Sequence, residues 1–411
     1  MTILDDISFK DARSLALNNA VLIKETDVIL LNDALGRVIS QDIICQKNLP
    51  SFNNSAMDGF AFKFSDAGKR LEIIDTIFAG DIPQDILKEN CCYKIMTGAK
   101  VPNDVDTVVP IEKCIDVTDR FVTIPADIKK NSSVKFKGEE QKKGNILFKK
   151  GQLLTSAHIA MLASQGIMGI EVYKELTIAI VSTGDEIKEP WEKANEDEIY
   201  NANGFAIVSL LQSFNFKPTY VGSIPDNLEK TIQFIDNLKS YDVVITTGGI
   251  SMGDADYLYE AFQKNGLKSF FHGIKVKPGR PTMMGLMDKT YVMAMPGNPL
   301  TTMLNCFVLT LPILYKLQGS TKYHQTFINV KNKKLLKLNP RRANTVLGII
   351  EDGYFTATRD NKYGSGMITP MYESNCVAIF SGGIDQVEAN ETIKIIPLNL
   401  VSLDTNDNNI N

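Results

Sequence analysis

Between residues 175 and 319 the chain alternates short apolar runs with longer stretches of helical periodicity, and three of those runs end in loops of glycine, hydroxyl residues and carboxylates. The runs at 176–181, 241–246 and 291–294 have the length and composition of buried strands. Between them Ile207, Leu210 and Leu211 share one side of a helix over 204–214, a similar stripe spans 227–238, and 300–317 is apolar enough to be largely buried. Strand–helix alternation of this kind folds into a doubly wound parallel sheet. Ligands of such sheets sit beyond the carboxyl ends of the strands. The loops expected there are Ser182-Thr183-Gly184-Asp185-Glu186, Thr247-Gly248-Gly249-Ile250-Ser251-Met252-Gly253-Asp254-Ala255-Asp256-Tyr257 and Met295-Pro296-Gly297-Asn298-Pro299.

The flanking sequence has a different texture. Ser8 can cap a helix in which Phe9, Ala12, Leu15 and Ala16 share a face, with Asp11 in its positively polarised first turn. From Val38 to Lys150 short β-rich runs such as 71–74 and 121–124 are separated by Gly, Pro, Asn and Asp, and a helical pattern returns over 155–165. The expected organisation is a discontinuous helical domain (1–45 and 145–174), a β domain inserted into it (46–144), the α/β domain (175–322), a C-terminal β domain (323–403) and a polar tail (404–411) with nothing to bury.

The 411 residues carry 44 basic and 48 acidic side chains, a formal charge of −4, so no broad field attracts nucleic acid or an anionic membrane and any anion must be bound locally. No run is expected to reach the roughly 18 apolar residues that span a bilayer, and the acidic start is unlike a signal peptide, which points to the cytoplasm. The six cysteines show no CxxC spacing and the three histidines are isolated, so reduced thiols are expected and any metal must be held by carboxylates.

Two chemistries meet in the expected site. A side chain at Gly248 or Gly249 would keep the backbone away from a phosphate, whereas Asp185, Glu186, Asp254 and Asp256 would repel one unless a hard dication such as Mg²⁺ lay between. Lys275-Val276-Lys277-Pro278-Gly279-Arg280-Pro281 supplies cations on an adjacent extended segment, with Arg280 suited to gripping an oxyanion through two N–H groups. Asp226 either orients a ligand ring or caps the helix that follows it. Gly249-Ile250-Ser251-Met252-Gly253 also fits the GxSxG elbow of hydrolases, but no later acid and histidine support that reading. A Walker GxxxxGK[ST] is absent.

Taken in order, Leu35-Gly36-Arg37, the Ser-Ala-Met-Asp-Gly core of 50–61, Met96-Thr97-Gly98-Ala99, the first two loops, Lys277-Pro278-Gly279 and Pro296-Gly297-Asn298-Pro299 resemble the molybdopterin molybdenumtransferase family, to which the E domain of gephyrin is related. The resemblance covers nearly the whole chain. It implies a four-part homodimeric subunit whose α/β domain binds molybdopterin and whose C-terminal domain is barrel-like. The reaction implied is insertion of molybdate into adenylylated molybdopterin, with Mg²⁺-dependent cleavage of the adenylate to AMP. By the same resemblance Glu186 and Asp256 hold the metal, the Gly248, Gly249 and Ser251 loop cradles phosphate, and Asp185, Asp226 and Asp254 fix the pterin nucleotide, with Thr183, Gly184, Pro296 and Asn298 around it. Lys277, Arg280, Ser251 and Thr301 attract the oxyanion. Asp58, Thr97 and Glu139 complete the site from the other subunit, and a molybdopterin adenylyltransferase and molybdoenzymes are the implied partners.

The chain departs from the family pattern where Val134-Lys135-Phe136-Lys137 stands in place of expected arginines, where Arg280 occupies a place often held by lysine or a neutral residue, and where Pro299-Leu300-Thr301 replaces Pro-Val-Ser. Two other readings are a molybdopterin adenylyltransferase, which lacks the long β insertion, and a non-catalytic molybdopterin-binding scaffold or carrier.

Overall fold

The computed structural model describes residues 4–83, 86–224, 227–250 and 257–398. Backbone contacts divide the chain into two compact units: Met1–Ser40, Gly151–Thr155 and Ile170–Asn411 form the first, Gln41–Lys150 and Ser156–Gly169 the second.

In the first unit, strands Pro218–Ile224, Ile178–Thr183, Val243–Thr247 and Thr290–Met295 are parallel neighbours in that order. Their side chains alternate between two cores. Ile178, Ile180, Val243, Ile245, Met293 and Met295 pack with helices Phe9–Asn19, Asn203–Ser213 and Pro299–Asn305 on one face. Ala179, Val181, Val244, Val292 and Ala294 pack with Leu228–Leu238 and Tyr257–Lys264 on the other. This is the doubly wound arrangement, in which strands covered on both faces read as nearly continuous apolar runs. Two antiparallel strands, Met283–Met287 and Leu267–Lys277, extend the parallel set. The opening segment joins the same sheet: Leu4–Ser8 runs parallel to Leu267–Lys277, and Ser8 then caps the first helix by accepting from the Asp11 N–H at 3.1 Å.

Two expectations need correction. The first strand runs to Thr183, so Ser182 and Thr183 belong to the sheet rather than to the loop. A continuous helix over Pro299–Leu317 is also long and apolar enough to cross a membrane. It is 83% buried inside the protein, and its middle widens into a π-turn at Cys306–Thr310 just before Pro312, whose ring has no N–H to return to the preceding turn.

The C-terminal β region closes on itself. Strands Ala343–Glu351, Tyr354–Ala357, Ile328–Asn332, Thr392–Pro397 and Cys376–Phe380 each pair with the next, and the last pairs back with the first, giving a five-stranded barrel. Val276 and Lys277, at the end of Leu267–Lys277, pair with Ala343 and Asn344, so the long sheet strand runs into the barrel wall.

The second unit is built on a five-stranded sheet ordered Thr107–Pro110, Gly59–Phe62, Cys91–Ile95, Arg70–Ile77 and Phe121–Thr123, with helix Ser156–Ser164 in the same unit. Alternate residues again serve two cores, Ala61, Tyr93 and Val108 in one and Phe60, Cys92 and Val109 in the other. All six cysteines are free thiols, and burial pushes Cys92 and Cys306 up to about 12, which leaves them unreactive.

Packing inside the barrel makes Gly348 obligatory, since a Cβ there would sit 2.1 Å from Cε2 of the fully buried Phe355 on the next strand. Gly348→Ala is expected to cost about 3 kcal/mol through overpacking. A clear fall in the denaturation midpoint checks this; an unchanged midpoint would contradict the tight packing of the Phe355 ring against Gly348.

Candidate functional site

The three loops expected at the carboxyl edge of the sheet do converge. Thr183, Gly184, Asp185, Glu186, Thr247, Gly248, Gly249, Pro296, Gly297 and Asn298 all line one cavity of about 770 Å³, a volume ordinary for a ligand site. Gly248 and Gly249 have φ of +85° and +59°, and a Cβ on either would lie 2.7 Å from Thr183 Oγ1. The space left by the missing side chains is therefore filled by the neighbouring strand, and the proximity of the loops depends on it. Gly297 lies in ordinary contact with them, a Cβ there falling 3.5 Å from Gly248 Cα.

Asp185 and Glu186 are exposed carboxylates at the cavity, with no ion-pair partner among the described residues. Glu186 folds back over Gly184, where a Cβ would meet its carboxylate oxygens at 2.8 and 2.9 Å, and its carbonyl accepts from the Ile199 N–H at 2.9 Å. Ser251, Asp254, Asp256 and Asp226 lie outside the described residues. The capping role considered for Asp226 is filled by Asn227, whose side-chain oxygen accepts from the Lys230 N–H at 3.1 Å.

A second cavity of about 350 Å³ shares Pro281, Pro296 and Asn298 with the first and is lined by Lys277, Arg280 and Thr301. Gly279, at φ +116°, lets the Lys277–Arg280 turn lie against the helix below, since a Cβ would fall 2.6 Å from Asn305 Nδ2 and 3.0 Å from Thr301 Cγ2. Thr301 is 1% exposed, and its hydroxyl has no hydrogen-bond partner among the described residues. Lys277 likewise makes no ion pair among them.

Arg280 is placed differently from the sequence-based expectation. Its Nε and Nη2 grip the Asp6 carboxylate at 2.8 and 2.6 Å, so the fork that was to hold an oxyanion is occupied and its charge largely offset. The barrel supplies what this removes. Arg342, Tyr363 and Ser365 line the second cavity, and Ser365 Oγ accepts from Asn298 Nδ2 at 2.9 Å, tying a barrel loop to the third sheet loop. No sequence signal marked these residues. Asn201, Asn203 and Tyr200 on the first cavity were missed too, whereas Tyr257, which also lines it, ends the second expected loop.

In the second unit, Asp58 accepts from the Thr97 N–H at 2.6 Å and from Thr97 Oγ1 at 2.7 Å, and these bonds hold its carboxyl below the usual range. Glu139 accepts from the Phe136 N–H at 2.7 Å, closing a turn whose Lys137 N–H donates to Asn53 Oδ1 at 2.9 Å.

Glycine loops meeting at the carboxyl edge of a doubly wound sheet, with an acidic rim beside a cation-bearing pocket, stand where proteins of this class bind small ligands. Family models match the MoeA N-terminal region (domain I and II) over residues 7–166, a probable molybdopterin binding domain over 179–316 and the MoeA C-terminal region (domain IV) over 329–398. The chain is 31% identical over 402 residues to a molybdopterin molybdenumtransferase of Haemophilus influenzae, spanning 96% of this chain and 99% of the relative. It is 30% identical over 408 residues to one of Staphylococcus epidermidis, with 95% of each covered. The crystal structure of the molybdopterin biosynthesis MoeA protein from Pyrococcus horikoshii matches the fold with a TM-score of 0.82 at 23% identity, covering 96% of this chain and all of that one. The chain belongs to the molybdopterin molybdenumtransferase family, transferases of molybdenum cofactor biosynthesis.

The Asp6–Arg280 pair has a pH signature. Arg280 holds the Asp6 carboxyl below its ordinary value, so the pair's contribution is fully present above the unfolded value near pH ~4 and is lost as pH falls through the folded one. Both groups are solvent-exposed, which limits the contribution to about 1 kcal/mol. Asp6→Asn should lower thermal stability slightly at pH 7 and flatten its acid limb; parallel curves for the two proteins would contradict the pairing.

Proposed function

We propose that this chain inserts molybdate into adenylylated molybdopterin and cleaves the adenylate, releasing AMP. The observation that carries the reading is the adjacency of the two cavities, one of a size for a pterin nucleotide and the other, sharing Pro281, Pro296 and Asn298 with it, carrying Lys277, Arg342 and the unpartnered Thr301 hydroxyl.

The pterin nucleotide lies over the glycine loops. Its anionic portion faces the Lys277 end, and the tetraoxoanion is held between the Lys277 ammonium, the Arg342 guanidinium and Thr301 Oγ1. Preorganised cations and a hydroxyl in a confined pocket offset charge on oxygen without reorganising during the reaction. The exposed Glu186 and Asp185, oxygen donors without cation partners among the described residues, suit a hard dication, and Glu186 with Asp256 would hold it. When bound, Mg²⁺ supplies positive charge against the phosphates. Asp58, Thr97 and Glu139 of the partner subunit complete the site in a homodimer, the Thr97 bonds keeping Asp58 ionised and fixed in direction.

The test is AMP release from adenylylated molybdopterin. The wild type should release AMP in response to molybdate. Lys277→Gln and Thr301→Val should each raise the molybdate KM about tenfold, the size of one lost charge-assisted or buried hydrogen bond. Glu186→Ala with Asp256→Ala should abolish release, and Asp58→Ala should lower kcat with an unchanged melting temperature. AMP release indifferent to molybdate and to Lys277 would overturn the reading. Tight nucleotide binding with no turnover would favour a carrier.

A further inference from the structure

Asn203 opens the helix Asn203–Ser213 and lines the larger cavity. Its Nδ2 donates to the Gly297 carbonyl at 2.7 Å. That contact fixes the orientation of the amide, because the reverse placement would press two acceptor oxygens together. Oδ1 is therefore the group left over, buried and without a donor among the described residues. A buried acceptor left unpaired costs about 1–3 kcal/mol.

The backbone that carries this side chain is held by its neighbours. Asn201 anchors the helix start, its Oδ1 accepting from the Gly204 N–H at 3.0 Å and from Ser182 Oγ at 3.2 Å, and its Nδ2 donating to Tyr220 Oη at 2.6 Å. Gly204 lies tight against the Tyr220 ring, where a Cβ would be 2.8 Å from Cε2. On a different element, Thr247 Oγ1 is a second buried polar atom without a partner among the described residues, and Thr247 lines the same cavity. The rings of Tyr200 and Tyr257, 53% and 39% exposed, also line it.

An amide oxygen repels the anionic end of a ligand and attracts an N–H. Tyrosine rings favour a flat partner. We propose that Asn203 Oδ1 accepts a hydrogen bond from the exocyclic amino group of a planar heterocycle, fixing the ring end of the ligand at this wall and its anionic end toward Lys277. This rests on the reading that the cavity binds adenylylated molybdopterin. That substrate carries two such rings, pterin and adenine, with the same amino chemistry.

Four small probes test it by calorimetry: pterin against lumazine, in which a carbonyl replaces the amino group, and AMP against IMP, which makes the same exchange on the purine. In the wild type the amino member of one pair should bind about tenfold tighter than its oxo counterpart, and the discriminating pair identifies the ring. Asn203→Leu should reduce that ratio below about twofold while leaving tungstate affinity unchanged. Asn203→Asp, which keeps an acceptor but cannot donate to Gly297, should retain the preference for the amino member. A purely structural role would instead weaken both members equally in both variants and lower the melting temperature. Equal wild-type binding within each pair, or discrimination that survives Asn203→Leu, overturns the proposal alone. A wild type that binds none of the four overturns it together with the pterin-nucleotide reading.

Discussion

The strand Leu267–Lys277 belongs to two structures at once. It pairs in parallel with Leu4–Ser8, antiparallel with Met283–Met287, and at its end with the first barrel strand, Ala343–Glu351. Continuous backbone hydrogen bonding through it fixes the barrel against the edge of the α/β sheet, so that residues remote in sequence meet across the second cavity. Lys277 stands where the strand leaves the sheet, Thr301 on the buried helix beneath and Arg342 in the barrel segment alongside. A site supported by paired strands and a packed helix holds its geometry better than one carried by loops alone.

Charge at the site is set by pairing more than by composition. Of the two cations in the Lys277-Pro278-Gly279-Arg280 turn, one is spent on Asp6 and one stays available. At the other end of the assembly Asp185 and Glu186 remain exposed and unpaired among the described residues. A chain with a formal charge of −4 thereby acquires a basic pocket beside an acidic rim, so that places for an oxyanion and for a cation lie next to each other at one edge of the sheet.

The parts of this design legible in the sequence are those with local signals. The glycine and carboxylate loops follow apolar runs directly, helix periods are plain over Asn203–Ser213 and Leu228–Leu238, and Ser8 announces its helix. Barrel closure had no such signal, since it is a property of which strands pair. The Asp6–Arg280 bond spans 274 positions, and nothing around either residue foretells it. Ser365, Tyr363 and Arg342 escaped notice for the same reason. The meaning of Gly248 and Gly249 was half legible: the need for glycine was evident, but the neighbour requiring it is Thr183.

The central claim, that the pocket between sheet and barrel receives the oxyanion, is tested most directly by anomalous diffraction from crystals of the protein soaked in tungstate. The account predicts a peak among Lys277, Thr301 and Arg342, lost in Lys277→Gln. A peak only in the neighbouring hollow of the barrel lined by Lys334, Lys337 and Lys362, with the Thr301 pocket empty, would contradict it.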